Sequence, residues 1–175
     1  VVTREAHNFK IPDEQACFYA FNIAIGMGHL HSKNIIYRDL KPDNVLIDDL
    51  GYLHITDLDI KVLVEGEIST TVLGTPDYIA PDILSNEGYS FQVDWWSLGI
   101  ITYEMLVGKT PFHSSRGNDP TFKNILTKNY SKPIKEKHGF CLSKEADCLS
   151  KNVGRKILKI DSSQSKKLLI ILGLQ

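Results

Sequence analysis

IIYRDLKPDNVLI, residues 35–47, sets a strongly polar patch, Arg38 to Asn44, tightly between two apolar runs. The patch supplies Asp39, Lys41 and Asn44 within six residues, and Pro42 stiffens the backbone among them. Polar loops are common, but this one has the composition of a loop built to hold chemical groups in place. Upstream, Pro12 followed by Asp13 and Glu14 suits a first helical turn, and Phe18, Phe21 and Ile25 mark an apolar stripe of a helix running to about His31. Downstream, the short apolar runs 45–47 and 53–55 flank DDLG, which reads as a small hairpin with Gly51 at its turn. The polar loop therefore lies between a helix and a hairpin.

Further along, FQVDWWSLGIITYEMLVG is apolar on nearly every face, the pattern of a central helix buried all round and ended by Gly108. Asp119-Pro120 can start another helix through Leu126, and Ser143 can cap one running through Lys151. The chain has 175 residues, 42% of them hydrophobic, enough for one globular unit with a sizeable core. Its 20 basic and 21 acidic residues leave a net charge of -1, which gives no reason to expect nucleic acid or a membrane surface as the main partner. Cys17, Cys141 and Cys148 are odd in number and widely spread, against a disulfide framework or zinc site. The start lacks a signal-peptide pattern, and LLIILGL at 168–174 is too short to span a bilayer; a cytoplasmic location is expected.

Asp39 and Asn44 fit the D-x-x-x-x-N spacing of a protein-kinase catalytic loop, and Asp57 follows Asp39 by eighteen residues, just past the second hairpin strand. Magnesium takes hard oxygen ligands, available from the Asp57 carboxylate and the Asn44 amide, with phosphates completing its shell. Asp39 can then accept or orient the proton of an attacking hydroxyl, and Lys41 can neutralise charge on a transferred phosphoryl group. Any one of these signals alone suits a polar turn with a helix cap; the combination does not.

YRDLKPDN, TDLDI, GTPDYIAPD and VDWWSLGIITYEMLVGKTPF stand in the order and spacing of a eukaryotic protein kinase, and residues 10–151 carry the resemblance. Tyr37 in place of the catalytic-loop His, with GTPDYIAP and VDWW, resembles the AGC group of serine/threonine kinases, and HITD with GYSFQVDWWSLG is similar to its small YANK-type branch. The resemblance implies an α+β, protein-kinase-like fold: a mostly helical large lobe with small β-hairpins carrying the catalytic and metal-binding loops. It makes residues 1–151 a partial kinase domain and 152–175 a divergent tail. It implies ATP and Mg2+ as cofactors, with Asp39 as catalytic base, Lys41 at the γ-phosphate, Asn44 and Asp57 as metal ligands and Leu46 as the floor under adenine. Thr71 would be an activation-loop phosphosite read by Arg38, set by an upstream activating kinase, and its phosphate would order the loop. Thr75 would contact Asp39 and Lys41 and favour a Ser/Thr acceptor on a protein substrate. Asp94 would support the catalytic loop from the buried helix, and Asp43 and Glu104 would meet basic residues of the substrate.

Several positions depart from the family pattern. The metal-binding triplet ends in Asp59 where the family has Gly, and Leu58 stands in place of Phe. Asp82 replaces the Glu of APE, which puts its buried pair with a late arginine in doubt, and Arg155 sits in the wrong context for that pair. The Gly-rich loop, the VAIK-type lysine and the helix-C glutamate are missing from the 175 residues, so a large lobe without its small lobe is expected, with poor ATP binding alone and exposed apolar surface where that lobe would dock. A non-catalytic pseudokinase or interaction module is the alternative. An unrelated metalloenzyme is disfavoured because His29 and His31 alternate rather than share a helix face, which suits helix-end solvation.

Overall fold

The computed structural model describes residues 11–57, 61–62, 68–69, 74–86 and 88–127. Helix α1, Asp13–Ser32, follows Pro12, and Asp13 and Glu14 complement the positive end of its dipole. Strand β1, Ile35–Ile36, leads into the polar loop; a 3-10 turn at Pro42–Asn44 closes it, and strand β2, Val45–Ile47, follows at once. Strand β3, Leu53–Ile55, returns antiparallel with Val45 opposite Ile55, Leu46 opposite His54 and Ile47 opposite Leu53. The turn between them is built on Asp48, whose Oδ1 accepts from the backbone of Leu50 and Tyr52, both at 2.9 Å. Strand β4, Lys61–Val62, pairs antiparallel with β1.

A second 3-10 turn, Pro76–Tyr78, and the short helix α2, Pro81–Ser85, precede helix α3, Gln92–Val107. Ser69 and Tyr89 exchange backbone hydrogen bonds at 3.0 and 2.9 Å just before α3. Twelve residues of α3 are buried, among them Trp95, Leu98 and Ile100, each worth about 1.5–3 kcal/mol of apolar burial. Most of such a helix must be covered by other elements; only its ends, at Gln92 and at Glu104, Met105 and Val107, are partly open to water. Gly108 ends it with φ 84°, a left-handed cap that lets its N–H reach the Glu104 carbonyl at 2.7 Å. Helix α4, Asn118–Thr127, packs Thr121 and Ile125 inward. The expected helix from Ser143, Cys141, Cys148, Arg155 and the tail lie outside the described residues, as do Leu58, Asp59 and Thr71. Among the described residues, no helix is long and apolar enough to cross a membrane.

The expected face of α1 needs correction. Phe18 and Ile25 of the anticipated stripe are 42% and 57% exposed, whereas Ala16, Ala20, Ile23, Ala24 and Met27 form the buried face. Small side chains let α1 lie close against its neighbours. Gly26 belongs to the same close approach: a Cβ there would come within 2.8 Å of Ile55 on β3. Phe18 instead meets Tyr52 at the hairpin's rim, ring centroids 5.8 Å apart.

Candidate active site

Asp94, in the first turn of α3, is fully buried, and a bare carboxylate there would be costly. Its Oδ2 accepts from the Tyr37 backbone N–H at 3.0 Å and its Oδ1 from that of Arg38 at 2.8 Å. The third partner is His31, whose Nε2 lies 2.7 Å from Asp94 Oδ2, with the ring edge-on to Trp95. His31, its side chain largely covered, is therefore a support and not a helix-end surface residue, which corrects the sequence expectation; of the pair, His29 is the exposed one. The signal was present, since His31 continues the buried series of Ala20, Ile23, Ala24 and Met27 by one more turn.

Held at both amides, the backbone of Arg38 takes φ 76°, a left-handed conformation sparse for such a residue. Gly74 packs on it: with φ 124°, it brings its backbone to where a Cβ would lie 3.3 Å from the Arg38 carbonyl. That contact brings Thr75 to the loop. Thr75 Oγ1 donates to Asp39 Oδ1 at 2.9 Å, Lys41 Nζ lies 2.6 Å from Asp39 Oδ2, and Lys41 also reaches Thr75 Oγ1 at 3.1 Å. Asn44, buried at the end of the loop, donates through Nδ2 to the Asp39 carbonyl at 2.9 Å and to its Oδ2 at 3.2 Å. Asp39, Lys41, Asn44 and Thr75 thus form one hydrogen-bonded cluster.

Tyr37 connects this loop to the next. Its phenol donates to the Thr56 carbonyl and, at 3.3 Å, to that of Asp57, and burial pushes its pKa up to about 12. Asp57 is exposed and holds φ 54°, another left-handed position for a residue with a Cβ. The role of Tyr37 was not foreseen; its place in the polar loop marked it only as a substitution.

Since Asn44 spends its amide nitrogen on Asp39, its Oδ1 is the end left for a cation, and the Asp57 carboxylate is the second hard oxygen donor. Among the described residues no three His, Cys, Asp or Glu side chains gather as a metal cage. Two oxygen donors fit magnesium, which usually takes one or two protein ligands and fills its octahedron with phosphates and water. Leu46 is half-exposed on β2, and Asp43 is exposed beside the loop. Glu104 is partly buried and accepts the Tyr78 hydroxyl at 2.7 Å, so it is oriented by the turn that follows Thr75. Asp82 accepts from Gln92 Nε2 at 3.4 Å, a long bond. His113 Nδ1 lies 3.0 Å from Asp77 Oδ1 and joins that turn to the loop before α4.

The family model of the protein kinase domain matches residues 2–169. The chain is 47% identical over 117 residues to cAMP-dependent protein kinase type 3 of Saccharomyces cerevisiae, covering 67% of this chain and 29% of the relative. It is 50% identical over 127 residues to protein kinase C zeta type of Oryctolagus cuniculus, covering 68% and 22%, and 50% identical over 105 residues to atypical protein kinase C of Drosophila melanogaster, covering 59% and 17%. The chain spans less than a third of the length of these relatives. With nearly its whole length under the family model and these relatives beside it, the chain belongs to the protein kinase family, within the AGC serine/threonine group.

Proposed function

We propose that this chain supplies the large lobe of a protein serine/threonine kinase that transfers the γ-phosphate of Mg-ATP to Ser or Thr hydroxyls of proteins. The observation that carries this reading is the single cluster of Asp39, Lys41, Asn44 and Thr75, with Asp57 joined to it through Tyr37. Asp39 already receives a hydroxyl hydrogen bond, from Thr75, in the manner in which it would receive that of a substrate. Lys41 sets a positive charge within 2.6 Å of that carboxylate, where negative charge develops on the oxygens of a transferred group. Asn44 fixes Asp39 from the other side, so the base is oriented before substrate arrives. Asn44 Oδ1 and Asp57 would hold magnesium, which when bound screens the phosphate charge.

Leu46 would floor the adenine, Asp43 and Glu104 would meet basic residues near the acceptor, and Thr71, phosphorylated by an upstream kinase, would pair with Arg38. Residues 1–151 would be the lobe, 152–175 a divergent tail, and the setting cytoplasmic. Asp39→Asn should lower phosphoryl transfer by about 10²–10⁴-fold while leaving the thermal midpoint within a few degrees. Transfer unaffected by Asp39→Asn would overturn the catalytic assignment.

A second reading, a non-catalytic interaction module, draws on Asp59 and on the long, neutral contact at Asp82. Transfer to a Ser/Thr peptide that depends on Asp39 rejects it; nucleotide binding without transfer supports it.

A further inference from the structure

The β2–β3 hairpin has two unlike faces. Val45, Leu53 and Ile55 pack against the core, and Ile55 lies under Gly26 of α1. Side chains alternate along a strand, so Leu46 and its cross-strand partner His54 project from the opposite face, with Cβ atoms about 5 Å apart. That face is open: Leu46 is 50% exposed and the His54 side chain 60%. One rung along the same face, about 7 Å away, Thr56 N–H and Oγ1 both bond the Asn44 carbonyl, and Asp57 follows immediately. A nucleotide with its phosphates at Asn44 and Asp57 and its base over Leu46 therefore lies along a face that His54 shares.

His54 is also oriented. Its Nε2 lies 2.9 Å from Asp48 Oδ2, and that hydrogen bond, with those from the Tyr52 and Leu50 backbone, holds the Asp48 carboxyl below its ordinary range. Asp48 in turn accepts from the Leu50 and Tyr52 backbone, so the imidazole is oriented beside Leu46 by a side chain tied to the hairpin turn.

We propose that His54 is a specificity-determining residue of the nucleotide site, a side wall against the purine that extends the Leu46 floor and is held by Asp48. This rests on the nucleotide reading given above. The test is titration of the 175-residue chain with Mg-AMP-PNP, following the His54 ring protons, the Leu46 methyls and the Asn44 side-chain amide by NMR. All three signals should move together, and Mg-triphosphate, which has no base, should move Asn44 alone. His54→Ala and His54→Gln should both weaken AMP-PNP binding by about three- to tenfold, with the triphosphate affinity unchanged.

If Leu46 and Asn44 respond while His54 does not, and neither variant changes affinity, the side wall is refuted and the nucleotide site stands. If His54→Gln, which keeps a donor toward Asp48, binds as the unaltered chain does while His54→Ala is weak, His54 only braces the turn and the proposal fails. Equal movement of His54 with triphosphate would make it a phosphate contact and overturn the purine assignment. If none of the three signals moves, the nucleotide reading falls and the side wall with it.

Discussion

The loop 37–44 and the hairpin 45–57 are consecutive in the chain and organised on opposite principles. In the loop, nearly every polar group has a protein partner: Asp94 holds two backbone amides from below, and Asp39 is bonded by Lys41, Asn44 and Thr75. On the open face of the hairpin, Leu46 and His54 meet solvent, and Asp57, just past β3, is exposed as well. The loop contains groups whose work is to be in the right place, so their geometry is fixed by the fold. On the function proposed above, the hairpin face contains groups that would touch a ligand, and their surfaces are uncovered.

Removing the anchor should break the difference most severely. Asp94→Ala strands two backbone donors and His31 in the core, and stability should fall by about 3–5 kcal/mol, measured by urea denaturation. A loss below about 1 kcal/mol would show that the loop holds its shape without α3.

A smaller effect is expected where the two regions are tied together. The folded pKa of Tyr37 is raised from 10 to about 12, so the folded state keeps this proton more firmly than the unfolded chain. Its contribution is complete below pH 10 and is lost as pH rises from 10 to about 12. Tyr37 is fully buried, so the two-unit rise corresponds to a loss of about 2–3 kcal/mol across that window. Tyr37→Phe should remove that alkaline slope and cost about 1 kcal/mol at neutral pH by leaving the Thr56 carbonyl unpaired. Parallel stability profiles for the two proteins across this window would show that the phenol does not couple loop to hairpin.

What the sequence disclosed follows the same division. Elements with a strong local signal were legible: the α1 span, the hairpin strands 45–47 and 53–55 with Gly51 in the turn, the buried α3 and its Gly108 stop all follow from periodicity and turn chemistry. The buried face of α1 was not, because Phe18 and Ile25 outweigh alanines in any hydrophobic pattern, while close helix packing favours the alanines. Asp39, Lys41 and Asn44 stood out by spacing. The parts played by His31, Tyr37 and Tyr78 did not, since each acts on a residue nineteen to sixty-three positions away, a distance only the fold closes.

The smallest expected effect, that of Leu46→Ala on stability, sharpens the comparison most when it is set against Leu40→Ala, six residues away in the chain. Leu40, in the loop, is 1% exposed, and Leu46, on the hairpin face, is 50% exposed. Leu40→Ala should cost about 2–5 kcal/mol through lost burial and the cavity left behind. Leu46→Ala removes a side chain already half in water and should change stability by no more than about 0.5 kcal/mol, while weakening binding of Mg-AMP-PNP. Thermal unfolding with and without the nucleotide measures both quantities in one experiment: for Leu40→Ala the midpoint should drop in either condition, for Leu46→Ala only the nucleotide-induced rise should shrink. A large loss of intrinsic stability in Leu46→Ala would mean that this face is structural, and the division between a prefolded loop and an open ligand face would no longer hold.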